Sequence, residues 1–233
     1  MKLAGLQKLT LLDFPGHVAC TVFTAGCNLR CPFCHNSELV LPERNPDLLD
    51  VEEFFSFLKK RQGILEGVCV TGGEPLLQKD IEDFLRRIKE LGFAVKLDTN
   101  GCFPDRLKAL VADGLVDFVA MDIKNCPDRY AETAGIPDLD IAAVRESVDF
   151  LLSGGVDYEF RTTVAAQLHD EDCFRAIGPW LQGAKMYAIQ NFRDSGDVLS
   201  SGLTPCAPQQ IVSFVEIVKP FVQQIVSRGD IEA

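Results

Sequence analysis

Stretches that read as buried strands alternate six times with stretches that read as amphipathic helices along the 233 residues. "HVACTVFTAG" (17–26) mixes β-branched, aromatic and small apolar residues and stops at a glycine, as a buried strand does. After a loop through "LPERNPD", "LLDVEEFFSFLKKRQG" has helical spacing, with acidic residues early, basic residues late and a closing glycine. The pair then recurs as "GVCVTGG" with "LQKDIEDFLRRIKELG", "FAVKLDTNG" with "PDRLKALVADG", and "VDFVAMDIK" with "DIAAVRESVDFLLSGG". "DYEFRTTVA" with "DEDCFRAIGPWLQG", and "KMYAIQNF" with "PQQIVSFVEIVKPFVQQIV", complete it. Strict alternation implies a parallel sheet covered by its crossover helices. Six units fall short of the eight in a closed barrel. The expected fold is therefore α/β, a partial, open-sided (β/α)6 barrel with parallel strands; a doubly wound sheet competes. No linker interrupts the pattern, so one domain is expected over 1–233, with its core at about 17–227.

Charge and cysteine usage narrow the function. A net charge of −11, from 23 basic and 34 acidic side chains, argues against nucleic acid or an anionic membrane as the main partner. No apolar run approaches the roughly 18 residues of a bilayer span. The start of the chain carries too short and broken an apolar run for a secretory signal. Nine cysteines without an export signal read as reduced thiols in the cytoplasm, and the odd number excludes complete internal pairing.

In parallel α/β folds, ligands bind at the carboxyl ends of the strands. Here "GCNLRCPFCHN" follows the first strand, "TGGEP" the second, "DTNG" the third and "DIK" the fourth. Alone, "TGGEP" and "DTNG" are turn sequences, and Asp122 with Lys124 is an ordinary strand-end ion pair. Four such clusters at one mouth point to a shared ligand site. Cys27, Cys31 and Cys34, separated by three and two residues, can converge on one centre from a single loop. A zinc site with His35 as fourth ligand is one reading. A four-iron cluster is the other, and it accounts for three thiols: one iron is left without a protein ligand, free to bind a substrate or cofactor.

Cys27-x3-Cys31-x2-Cys34 resembles the signature of the radical S-adenosylmethionine enzymes. "LLDFPGHVACTVFTAGCNLRCPFCHN", followed in order by "TGGEP", "DTNG" and "DIK", is similar to the glycyl-radical-enzyme activating proteins. Phe14 in the turn before the cluster loop, with "YEFRTTV" and "AIQNFR" later, looks most like the anaerobic ribonucleoside-triphosphate reductase activating proteins. The resemblance implies that Cys27, Cys31 and Cys34 hold a 4Fe–4S cluster whose open iron is chelated by the amino and carboxylate groups of S-adenosylmethionine. It places Phe33 near the adenine, and Gly72, Gly73 and Glu74 at the methionine amino group. Asp98 and Asn100 fall near the ribose or a monovalent cation, and Lys124 at the methionine carboxylate. Asp122 orients Lys124 or helps to bind that cation, and Arg161 and Thr163 extend the polar lining. Gln190 stands where some activating proteins carry a histidine beside the nucleoside; an amide still hydrogen-bonds a ribose but does not titrate near neutral pH. The implied partners are a glycyl radical enzyme, here an anaerobic ribonucleotide reductase, and flavodoxin or ferredoxin as electron donor. His17 and His169 are expected to be structural or solvated. A radical enzyme acting on a small molecule, as in deazapurine synthesis, and a non-catalytic zinc or iron module are the alternatives.

Overall fold

The computed structural model describes residues 1–41, 47–194 and 196–229, and these form one sheet whose eight strands lie in chain order. Residues 42–46 of the loop expected at "LPERNPD" lie outside the described residues. β1 (Leu3–Thr10) runs antiparallel to β2 (Ala19–Thr24). Every later neighbour is parallel: β3 (Gly67–Gly72), β4 (Ala94–Thr99), β5 (Phe118–Asp122), β6 (Asp157–Val164), β7 (Met186–Asn191) and β8 (Gln224–Arg228). The crossovers carry, in order, α1 (Ser37–Val40) with α2 (Val51–Lys59), α3 (Ile81–Glu90), α4 (Pro104–Ala112), α5 (Tyr130–Ala134) with α6 (Ala142–Leu152), α7 (Glu171–Trp180) and α8 (Pro208–Val218). β1 and β8 are the two ends of the strand order, so the sheet is open.

The open parallel arrangement agrees with the sequence expectation, and the six strand–helix units are present. The strand count differs at both ends. β1 holds Leu3 and Thr10 buried at its ends and a run of exposed residues between them, so it lacks the alternation that marks a strand. β8 overlaps the end of the apolar run at 208–226 read as one long helix. Pro220 cannot continue a helix, so α8 stops at Val218 and the chain re-enters the sheet at Gln224.

The parallel strands bury an apolar face under the helices, and β4 shows the opposite, polar face to the concave interior. On β4, Val95 and Leu97 are fully buried among core residues, whereas Lys96 and Asp98 point inward. The facing helix α3 supplies Ile81, Phe84, Leu85 and Ile88, an i, i+3, i+4, i+7 stripe that the sheet covers. Burying a side chain of this size contributes about 1.5–3 kcal/mol. Asp50 caps α2 by accepting from the amides of Glu52 and Glu53 at 2.7 and 3.0 Å. At the amino ends of the strands, the turn after β1 closes the interior. Phe14 stacks on His17 at 4.2 Å, and a side chain at Gly67 would meet its ring at 2.8 Å. Lys96 Nζ donates to the Asp13 carbonyl.

Candidate metal and cofactor site

The loop after β2 carries the three clustered cysteines and is tied at several points to distant backbone. Gly26 N–H donates to Leu39 O at 2.6 Å, Arg30 N–H to Ala134 O at 2.9 Å and Ser200 N–H to Pro32 O at 3.0 Å. Gly26 O in turn accepts from Glu74 N–H at 2.8 Å. That approach explains the glycine of "TGGEP": a Cβ on Gly73 would lie 2.0 Å from Gly26 O. The same closeness holds on the other side, where a Cβ on Gly135, with φ +69°, would lie 2.1 Å from Arg30 O.

Cys27, Cys31 and Cys34 line one cavity at the carboxyl ends of the strands, and all nine cysteines are free thiols. Burial raises all three thiols, Cys27 to about 12, so a cation must be brought to them before they ionise. Among the described residues, no three His, Cys, Asp or Glu side chains converge on a single metal ion. His35 is turned elsewhere: it donates from Nε2 to Arg193 O at 2.5 Å and stacks on Phe192 at 5.3 Å. The one-ion zinc site with His35 as fourth ligand therefore lacks its geometry.

The opposite wall is a ladder of alternating charge. Lys124 Nζ donates to Asp122 Oδ2 at 2.9 Å, and Arg161 Nε donates to Asp122 Oδ1 at 3.0 Å. Arg161 Nη1 donates to Asp98 Oδ2 at 3.1 Å. Below these, Lys96 Nζ lies 3.7 Å from Asp98 and 3.6 Å from Glu159, which Arg228 grips with two bonds of 3.1 and 2.6 Å. Burial alone would raise the Asp122 carboxyl, but Arg161 and Lys124 outweigh it and hold it near 2. Burial would lower Lys124, and Asp122 instead raises it. Both stay charged at neutral pH.

The cavity lining includes Phe33, Gly72, Gly73, Asp98, Asn100, Asp122, Lys124, Arg161 and Thr163. Two other residues singled out in the sequence lie elsewhere. Glu74 is fully buried behind the wall, where its carboxylate accepts from Leu76 N–H at 3.0 Å, Thr99 Oγ1 at 2.9 Å and Asn100 N–H at 2.7 Å. Gln190 is exposed on β7, in register with Thr163, and is not part of the lining. His169, read as structural or solvated, is buried and bridges two strand ends. It donates from Nε2 to Lys124 O at 2.9 Å, accepts from Ala165 N–H at 3.2 Å, and lies edge-on to Phe33 at 6.4 Å. Its partners are backbone groups just past β5 and β6, and Lys124, 45 residues away in the chain, is the one its local sequence does not signal.

An open α/β sheet whose carboxyl ends surround three free thiols and a charged wall defines a cofactor-dependent enzyme scaffold. Residues 21–173 match the Radical SAM superfamily model, and the chain belongs to that superfamily. Over 97% of its length it is 30% identical to a Methanocaldococcus jannaschii protein named "Putative glycyl-radical enzyme activating enzyme", of which the match spans 95%. It is also 34% identical to the 7-carboxy-7-deazaguanine synthase of Methanopyrus kandleri, over 54% of this chain and 56% of that one. Streptococcus suis SuiB, solved bound to S-adenosylmethionine, shares the fold with a TM-score of 0.68 at 13% identity, over 88% of this chain and 49% of that one. The chain thus spans about half the length of the latter two proteins. It is a radical S-adenosylmethionine oxidoreductase, and its cofactors are a 4Fe–4S cluster and S-adenosylmethionine. Among the described residues, no helix is long and apolar enough to cross a membrane.

Proposed function

We propose that the chain is the activating component of a glycyl radical enzyme, most like those that serve anaerobic ribonucleoside-triphosphate reductase. The observation that carries this reading is the 30% identity over nearly the full length of both chains to a protein named "Putative glycyl-radical enzyme activating enzyme". The choice of reductase rests on Phe14, "YEFRTTV" and "AIQNFR" in the sequence. In this reading Cys27, Cys31 and Cys34 hold the cluster as thiolates. Three free thiols on one cavity suit a cluster with one iron left open. Bound together, the cluster and S-adenosylmethionine supply reductive cleavage to methionine and a 5′-deoxyadenosyl radical. The chain's own residues position and shield. Lys124, charged and held by Asp122, meets the methionine carboxylate. The bare backbone of Gly72 and Gly73 meets the amino group. Phe33 lies beside the adenine, with Asp98, Asn100 and Thr163 toward the ribose. Glu74 acts one step back, fixing Asn100 through its amide. Flavodoxin or ferredoxin supplies the electron, and nine free thiols suit the reducing cytoplasm.

The reading is tested with the anaerobic ribonucleotide reductase of the same organism. Reduced protein, S-adenosylmethionine and that partner should give an organic radical signal split by one glycine proton. The signal should vanish when the partner's radical-site glycine is changed to alanine. The similarity to 7-carboxy-7-deazaguanine synthase favours a second reading, a radical enzyme for a small molecule. Turnover of a purified metabolite, with no radical on any glycyl radical enzyme of that genome, would move the assignment there.

A further inference from the structure

The resemblance to activating proteins brought with it a monovalent cation beside Asp98 or Asp122, and in the structure every oxygen of both carboxylates already faces a cationic nitrogen. Both oxygens of Asp122 are engaged, Oδ1 by Arg161 Nε at 3.0 Å and Oδ2 by Lys124 Nζ at 2.9 Å. Asp98 is likewise engaged on both sides, Oδ2 by Arg161 Nη1 at 3.1 Å and Oδ1 by Lys96 Nζ at 3.7 Å and the Cys69 thiol at 3.8 Å. One guanidinium thus spans both carboxylates, and its side chain is only 19% exposed. Alkali cations need several oxygen ligands once stripped of water, and here the positive charges of Arg161, Lys124 and Lys96 already neutralise these carboxylates and oppose a further cation between them.

We propose that the Arg161 guanidinium takes the place of a monovalent cation between Asp98 and Asp122, so that S-adenosylmethionine binds independently of potassium or sodium. This rests on the assignment of the cavity to that cofactor. A planar fork suits the task better than a sphere, because it fixes the direction as well as the charge of each carboxylate. Arg161 is then a positioning residue. It neutralises the repulsion between Asp98 and Asp122 and holds Asp122 where it aims Lys124 at the cavity. Unlike a bound ion, it cannot dissociate with the cofactor.

The test measures S-adenosylmethionine affinity of the cluster-loaded protein in tetramethylammonium buffer, with and without added potassium or sodium chloride at matched ionic strength. For the natural chain the affinities should agree within about twofold. Arg161→Ala should bind at least about tenfold more weakly in tetramethylammonium and recover with potassium, sodium or free guanidinium. Arg161→Lys keeps a tethered cation and should remain indifferent to added salt. Sodium-23 relaxation gives a readout independent of turnover: the ion should exchange at the Arg161→Ala site and not at the natural one. The idea is overturned if the natural chain loses affinity without alkali cations and regains it with either. It is equally overturned if Arg161→Ala ignores them. Iron and sulfide are counted on every sample, so a chain that holds no cluster counts against the cofactor assignment instead. Should Arg161→Ala fail to fold, the natural chain and Arg161→Lys still decide.

Discussion

Glu74 accepts from three hydrogen-bond donors and, among the described residues, forms no ion pair, at a position with no exposure. Burial pushes its carboxyl up, the donors from Asn100, Leu76 and Thr99 pull it down, and the balance falls at about 7. The unfolded carboxyl releases its proton near its ordinary 4.5, so between these values the folded chain holds the extra proton. Stability from this group is therefore fully present below that window and is lost as pH rises through it. The difference in unfolding free energy between the natural chain and Glu74→Gln should shift by up to about 3 kcal/mol across it. Urea unfolding of the metal-free chains at several pH values measures this, and parallel curves would remove Glu74 as the source. Lys124 behaves differently, since it faces the cavity. Lys124→Ala should keep its iron and sulfide yet bind S-adenosylmethionine about tenfold or more weakly, the loss of a charge-assisted contact of roughly 1.5–3 kcal/mol. Unchanged affinity would place the methionine carboxylate elsewhere. Alanine at Cys27, Cys31 or Cys34 should abolish cluster and cleavage together; stoichiometric zinc in the natural protein, without iron–sulfur absorption, would defeat the radical reading.

Among the elements, the join between β3 and the cysteine loop is the tightest. Gly73→Ala must push Gly26 away, breaking the bond from Glu74 N–H, and should cost about 1–3 kcal/mol with a matching loss of retained iron. Thermal unfolding together with iron assay follows both effects; a variant as stable and as loaded as the natural chain would mean the loop can move. This join also shows why the site was legible in part. "TGGEP" and the cysteine spacing are local, so their place at strand ends followed from the alternating pattern. The destination of the Glu74 side chain was not local, because it depends on where β4 brings Thr99 and Asn100. Of the two roles expected for His169, structural or solvated, the structural one holds, and its bond to Lys124 O depends on where β5 ends rather than on its own neighbours. β1 and β8 escaped because each departs from its regular pattern, β1 with an exposed middle and β8 behind a proline inside an apolar run. The polar inner face was foreshadowed only at the mouth, by Asp98, Asp122 and Arg161. Lys96 and Glu159, deeper in the same strands, carry no motif that would mark them in the sequence.

At the scale of the whole molecule, the charge ladder joins the deep interior to the cavity. Glu159 is fully buried between Lys96 and Arg228. Lys96→Met should destabilise the chain by about 1–3 kcal/mol, because it leaves the buried Glu159 carboxylate with Arg228 as its one remaining partner. Adding Glu159→Leu should restore part of the loss, since it removes the buried carboxylate that Lys96 helped to neutralise. Chemical denaturation of the single and double variants checks this, and additive losses would show that the pair does not interact. The anchoring of the cysteine loop has a different consequence. Its ties run to Leu39, Glu74, Ala134 and Ser200, and every one is a protein–protein bond that no iron helps to make. The folded scaffold should therefore outlast its inorganic cargo. Protein bleached in air should keep its far-ultraviolet circular dichroism and slow amide hydrogen exchange in β2 to β6. Iron and sulfide under argon should then recolour it without a refolding step. A chain that melts on bleaching would instead make the metal a structural member, and each exposure to oxygen would end the life of the molecule rather than begin a repair.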